Sequence, residues 1–358
     1  MWYKTRVSEI LNIRYPIIQG PFGGGYSSTE LVSTVSNAGG LGSFGATELT
    51  PQQIVDTCTA IRSLTDKPFA INLWVSERDK NLSSYDEVAY EKLIKIFKPY
   101  FEELDVPIPP MPVVTTPRFE DQVPAVLDAK PPVFSFVFGI PSADILNECR
   151  KRNIKTLGTA TTPDEAVALE KAGVDIVVAS GFEAGGHRGS FLESAENSLT
   201  GTFSLIPRVV DKLKIPVVAA GGVADGRGIA AAMILGAGGV QIGTAFLACA
   251  ESNATPLHKE KLFSPQATHT MLTKVFSGRL LRVMRNKLSE ELKEYEKDFA
   301  PFPLQRFFVR TLHPKIVADN RHEYMAFLGG QSAPLLKHKD AATLFKALVE
   351  DTDRILKA

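Results

Sequence analysis

His187 stands inside the run Gly181-Phe182-Glu183-Ala184-Gly185-Gly186-His187-Arg188-Gly189, the one histidine of the chain set among glycines. An imidazole changes charge near neutral pH, so a histidine presented by such a loop is a candidate catalytic base. The other five, His258, His269, His313, His322 and His338, lie in the last third of the chain without metal-ligand spacing. No metal site is therefore expected. The lone carboxylates Glu183 and Asp225 are expected to hold loops by accepting backbone hydrogen bonds.

Glycines cluster at three further places: Gln19-Gly20-Pro21-Phe22-Gly23-Gly24-Gly25, Gly221-Gly222-Val223-Ala224-Asp225-Gly226 and Gln241-Ile242-Gly243-Thr244. Glycine lets backbone N–H groups converge on an anion, and a helix N-terminus adds its dipole. Gly221, Gly222, Gly243 and Thr244 are thus candidate phosphate ligands. No P-loop motif is present, so a P-loop ATPase is excluded. The stretch Gly40-Leu41-Gly42-Ser43-Phe44-Gly45 matches G-x-G-x-x-G, but a helix precedes it and a strand fills its middle. That is the wrong context for a dinucleotide site.

These clusters need a scaffold that brings them together. Strand-like runs at 16–19, 40–44, 68–74, 133–138, 155–158, 175–180, 216–220 and 240–243 alternate with helical patterns. The helical patterns fall at 28–38, 51–64, 143–153, 163–172, 203–213 and 227–235. Strands apolar enough for burial on both faces, alternating with helices, indicate a parallel sheet. Eight of them indicate an α/β fold of the (β/α)8 TIM-barrel type. Chemistry in such barrels collects after the strands' C-terminal ends, and phosphate often sits after the last two strands. The glycine clusters follow strands one, six, seven and eight.

Residues 76–132 interrupt the pattern with a charged helix at 85–104, a proline cluster and a weaker helix at 118–129. Residues 251–358 add helices, including a charged one at 289–298. The expected organisation is a barrel from 1–75 and 133–250, a helical insertion at 76–132 and a C-terminal helical cap at 251–358. Ser135 and Val137 alternate with Phe136 and Phe138, so one pair should face the barrel interior and the other the helices.

The composition fits a large core, with 44% hydrophobic residues over 358 positions. Lys+Arg and Asp+Glu both number 40, so a general nucleic-acid binder is excluded. Cys58, Cys149 and Cys249 form no disulfide framework and are expected as reduced thiols in a cytoplasmic protein. No secretory signal is expected from the polar start of the chain. Residues 228–250 carry no charge, yet hold five glycines and change from helix-like to strand-like. A buried helix and strand are expected there, with no membrane contact.

The chain resembles the class I nitronate monooxygenases, the 2-nitropropane dioxygenase-like flavoproteins. The resemblance rests on Gln19-Gly20-Pro21-Phe22-Gly23-Gly24 with Ser36-Asn37-Ala38-Gly39-Gly40-Leu41-Gly42, and on Ser135-Phe136-Val137-Phe138-Gly139-Ile140-Pro141. It rests further on the His187 run from Ser180 to Gly189, and on Gly221-Gly222-Val223-Ala224-Asp225-Gly226-Arg227-Gly228. It spans about residues 10–335. Family members often carry Gln where this chain has Ser180.

The resemblance implies non-covalent FMN. Its phosphate would rest on backbone amides of Gly222, Gly243 and Thr244. Gln19, Gly20, Pro21, Phe22, Asn72, Ser180, Gly181, Gly185 and Gln241 would line the ribityl chain and ring. It implies oxidation of alkyl nitronates, such as propionate 3-nitronate, by O2, with His187 as base for neutral nitroalkanes. A homodimer is compatible with it. The alternatives are an FMN-dependent enoyl-acyl-carrier-protein reductase, an NAD(P)H:quinone reductase and a non-catalytic flavin-binding protein.

Overall fold

The computed structural model describes residues 1–75 and 82–357. In chain order its strands are β1 (Ile17–Gln19), β2 (Gly42–Gly45), β3 (Phe69–Trp74), β4 (Val133–Val137), β5 (Lys155–Ala160) and β6 (Ile176–Ser180). There follow β7 (Gly186–His187), β8 (Val217–Ala220), β9 (Gly239–Ile242), β10 (Thr270–Thr273) and β11 (Leu281–Met284).

Eight of these form one parallel sheet in the order β1-β9-β8-β6-β5-β4-β3-β2. The two ends of the sheet meet. Gln19 N donates to Leu41 O at 2.9 Å and Leu41 N donates to Ile17 O at 3.0 Å. The sheet is therefore a closed (β/α)8 barrel, as expected from the eight apolar runs.

Inward-facing Ile18, Leu41, Ala70, Val133, Leu157, Val178 and Val218 pack as one buried cluster with Val7 and Leu11. The latter two lie on the helix Arg6–Leu11, capped by Thr5. That short helix, which has no clear sequence period, thus packs with the inside of the barrel. The outer layer, between strands and helices, holds Phe134, Phe136, Leu146, Leu169, Leu205 and Ile229.

The insertion and the cap are organised differently from the sequence division. The helix Phe119–Ala129 packs beside Pro51–Leu64 and places Val123 and Val126 in the outer barrel layer. It is the crossover between β3 and β4. The helix Ala341–Lys357 packs on Gly226–Ile234 and Thr29–Asn37 through Leu344, Phe345 and Leu348. It belongs to the barrel wall as well. In both cases an apolar stripe has no other surface to cover.

What caps the barrel is the helix Glu87–Glu103 packed on residues beyond 274. Phe97, Phe101, Val283, Leu288, Phe308 and Leu312 share one buried cluster. The C-terminal part is not helical alone, because β10 and β11 form an antiparallel pair within it. The segment expected as one charged helix at 289–298 is a helix Lys287–Glu291 followed by a 3-10 turn Lys293–Asp298.

The uncharged stretch 228–250 resolves into the helix Gly226–Ile234, β9 and the helix Thr244–Leu247. No helix among the described residues is long and apolar enough to cross a membrane. Cys58, Cys149 and Cys249 are buried free thiols.

Candidate active site

The C-terminal ends of β1, β6, β8 and β9 form one side of the barrel mouth. Ser180 lies opposite Ala220, Ala220 opposite Gln241, and Gln19 opposite Ile242. Gly20 N donates to Ile242 O at 2.8 Å. A Cβ on Gly20 would come within 3.2 Å of Gly243 Cα, so the two strand ends meet backbone to backbone.

Gly222 has φ +75°, a conformation that favours glycine. A side chain there would meet only Glu183 carbons at 3.7 and 3.9 Å, and at Gly243 only the Phe22 ring at 3.9 Å. The space over both backbones is open to a ligand. Gly243 also precedes the helix Thr244–Leu247, which no side chain caps. Amide N–H groups at this corner are available to an anion.

The loops are fixed as the lone carboxylates led us to expect. Glu183 accepts from Thr202 N at 2.8 and 3.0 Å, at the start of the helix Thr202–Val210. Asp225 accepts from Arg227 N and Gly228 N at 3.0 and 3.3 Å, capping Gly226–Ile234. Arg188 is buried beneath the loop after β6. It donates to Gly181 O at 2.7 Å, Ser180 O at 3.0 Å and Ser198 O at 3.2 Å. Burial lowers its pKa to about 10, which leaves it charged at neutral pH. The loop Gly329-Gly330-Gln331 laces the same region. Gly330 N donates to Thr244 Oγ1 at 2.9 Å, Gln331 N donates to Glu183 O at 2.9 Å, and a Cβ on Gly185 would come within 2.7 Å of Gly330 N.

Other expected site residues are engaged within the wall. The Gln19 side chain is fully buried; its Oε1 accepts from Ser43 N at 2.9 Å and its Nε2 donates to Gly20 O. Asn72 Nδ2 donates to Ser135 Oγ at 2.9 Å, both side chains being buried. Phe22 N donates to Ser27 Oγ at 3.1 Å, which pins the Pro21-Phe22 turn. Ser180 and Gln241 are half-buried at their strand ends.

His187 sits in β7, not in an open loop, because β7 pairs antiparallel with β11 and sets Leu281 opposite His187. Its half-buried ring contacts Trp74, Phe302 and Phe138 at centroid distances of 5.3, 5.8 and 6.3 Å. Its Nε2 lies 2.9 Å from Ser277 Oγ. Burial, and then the positive charges of Arg279 and Arg306, push its pKa down to about 3. The ring is therefore neutral at physiological pH. The Arg279 guanidinium lies over Phe138 and Phe302 at 4.4 and 4.7 Å, and Arg306 is ion-paired with Glu48.

Alternation along β4 holds for Phe134 and Phe136, which face the helices, and for Ser135, which faces Asn72. It fails at Phe138. There φ is +65°, past the strand end, and the ring turns to the His187 side instead of following Phe136. Trp74, Phe138, Ser277, Arg279 and Phe302, gathered around His187, are candidate site residues that sequence reasoning missed. Trp74 and Phe138 stand at the ends of recognisable strands, which is a usable signal. The other three lie in a region with helical expectations and carried none.

A family model described as nitronate monooxygenase matches residues 4–351. The chain is 41% identical over 358 residues to a probable nitronate monooxygenase of Staphylococcus haemolyticus strain JCSC1435, covering 99% of each. It is 38% identical over 357 residues to a probable nitronate monooxygenase of Staphylococcus aureus strain Newman, again covering 99% of each. Among solved structures it is similar to nitroalkane oxidase from Streptomyces ansochromogenes. The identity is 31% and the TM-score 0.88, over 98% of this chain and 99% of that one. It is also similar to FabK from Thermotoga maritima, with 28% identity and a TM-score of 0.74, over 99% and 97%.

Proposed function

We propose that this chain, which belongs to the nitronate monooxygenase family and is an oxidoreductase, oxidises alkyl nitronates such as propionate 3-nitronate with O2. The products are a carbonyl compound and nitrite. The observation that carries this reading is His187, held among Trp74, Phe138 and Phe302 just after β6, at the same strand-end side of the barrel as the open backbones of Gly222 and Gly243.

The residues present fit FMN. Backbone N–H groups of Gly222, Gly243 and Thr244, supported by Gly221, would take its phosphate, since no side chain competes at that helix start. Gln19, Gly20, Pro21, Phe22, Asn72, Ser180, Gly181, Gly185 and Gln241 would line the remainder, the first through its strand end because its side chain is engaged in the wall. Bound FMN would supply a two-electron acceptor that also reacts with O2.

The chain's own residues do three things. The mouth backbone binds and orients. The rings of Trp74, Phe138 and Phe302 pack around His187 and hold its imidazole. His187 handles protons. A nitronate is already deprotonated and needs no base. A neutral nitroalkane must first lose its α-proton, and the neutral imidazole is free to accept it. A base with its pKa held near 3 has little driving force, so nitroalkanes should turn over more slowly than nitronates.

The test is the identity of the bound flavin together with oxygen uptake. Heat-released cofactor should chromatograph as FMN, and propionate 3-nitronate should drive oxygen consumption with nitrite release. Under nitrogen, nitronate should bleach the flavin faster than NADH or NADPH does. Release of FAD, or rapid bleaching by a nicotinamide with turnover of an enoyl thioester, would overturn the reading in favour of a reductase.

A further inference from the structure

The Ser277 hydroxyl, itself buried, stands where three hydrogen bonds meet. Its oxygen lies 3.0 Å from Arg279 O, 3.3 Å from Arg279 N and 2.9 Å from His187 Nε2. A hydroxyl has one proton and two lone pairs. The Arg279 amide can only donate, and the Arg279 carbonyl can only accept. Satisfying both places the hydroxyl proton on the carbonyl side and one lone pair on the amide. The lone pair left over can only accept, so His187 Nε2 must bear the ring's proton. In a neutral imidazole the other nitrogen, Nδ1, is then bare.

The geometry that enforces this is rigid. His187 and the Ser277 turn are joined through the sheet, with Leu281 opposite His187 and Arg188 N donating to Leu280 O at 2.9 Å. Trp74, Phe138 and Phe302 hold the ring from its other sides. Nδ1 has no hydrogen-bond partner among the described residues, yet it is not among the atoms sealed inside the protein. It is the nitrogen open to a reactant.

We propose that Ser277 is a positioning residue: it holds His187 as the Nε2–H tautomer and so makes Nδ1 the atom that takes a proton from a neutral nitroalkane. This rests on the nitronate and nitroalkane reading above. In the step, the α C–H bond of the nitroalkane breaks. Its electron pair passes into the nitro group, giving the nitronate, and the proton bonds to Nδ1, giving an imidazolium that later returns it to solvent. The nitronate so formed is the substrate the enzyme otherwise takes directly.

The experiment is nitrogen NMR of the purified full chain carrying 15N-labelled histidine, with kinetics on 1-nitropropane and propyl-1-nitronate. His187 should show a protonated Nε2 and a bare Nδ1 in the wild type. Ser277→Ala should lose that preference. It should lower kcat/KM for 1-nitropropane about 10-fold more than for the nitronate, since a misdirected base forfeits part of a general-base contribution. Ser277→Thr, which keeps the hydroxyl, should restore both. A protonated Nδ1 in the wild type, or equal losses on the two substrates in Ser277→Ala, would overturn the proposal. If the wild type oxidises neither substrate, the functional reading fails, while the tautomer assignment is still decided by the wild-type spectrum alone.

Discussion

His187 combines a candidate chemical role with an environment that resists its protonation. Its pKa in the folded protein is about 3, below the usual 6.5, chiefly through burial and then through Arg279 and Arg306. The unfolded chain takes up a proton as pH falls below 6.5, and the folded chain does not. This site's contribution to stability is therefore present above about pH 6.5 and is lost progressively as pH falls toward 3. His187→Asn should lose less stability than the wild type between pH 6.5 and 4.5, measured by urea midpoints. An equal drop in both would mean that the ring titrates normally. The same variant should lose turnover of neutral nitroalkanes by about 10²–10⁴-fold while nitronates still react. Equal loss on both substrates would make the histidine an orienting group.

How far this site could be read in advance depended on how local its signal was. Glu183, Asp225 and His187 stand in glycine-rich runs of the sequence that mark them. Ser277, Arg279 and Phe302 reach the site from 90 or more positions downstream of His187, and their approach depends on a strand pairing that short runs such as Leu281–Met284 do not announce.

At the level of strands and helices, continuous apolar runs made the barrel legible, because both faces of each parallel strand are covered. Boundaries between barrel and cap were less legible. An amphipathic helix declares that it has an apolar stripe, not which surface the stripe will meet, so the sequence does not announce that Phe119–Ala129 and Ala341–Lys357 pack on the barrel's outer helices. Two predictions belong here. Gly222, at the turn after β8, has φ +75°. A Cβ in that region costs about 1–2 kcal/mol and would occupy the open space over the backbone. Gly222→Ala should weaken flavin retention about 10-fold or more, read by the flavin absorbance left after gel filtration. Unchanged flavin content would remove this turn from the phosphate site. In the cap, Phe97 is fully buried and meets Phe308 edge to face at 5.2 Å. Phe97→Ala should cost about 3–5 kcal/mol in denaturant unfolding. It should also slow nitronate turnover, because the layer it supports continues into the β11 hairpin that braces His187. Destabilisation with unaltered turnover would show that the cap is not coupled to the site.

Taken across all its layers, the protein closes its barrel with pieces from both extremes of the sequence. Trp2 Nε1 donates to Asp353 Oδ1 at 2.9 Å, and Phe345 fills the space over Gly40 so tightly that a Cβ there would lie 2.5 Å from its ring. The helix Ala341–Lys357 covers Gly226–Ile234 and Thr29–Asn37 together. Burying large apolar side chains such as Leu344, Phe345 and Leu348 contributes about 1.5–3 kcal/mol each. That sum rivals the net stability of a typical domain. A chain ending at residue 340 should therefore lose its cooperative unfolding transition and bind a hydrophobic dye. A sharp transition close to that of the full chain would show that the wall stands without this helix. The consequence reaches into biosynthesis. Segments emerge from the ribosome in order, at about 5–20 residues per second. The helix Thr29–Asn37 leaves the ribosome about 300 positions before residue 341, so the nascent chain carries an exposed apolar seam for tens of seconds until the helix Ala341–Lys357 docks.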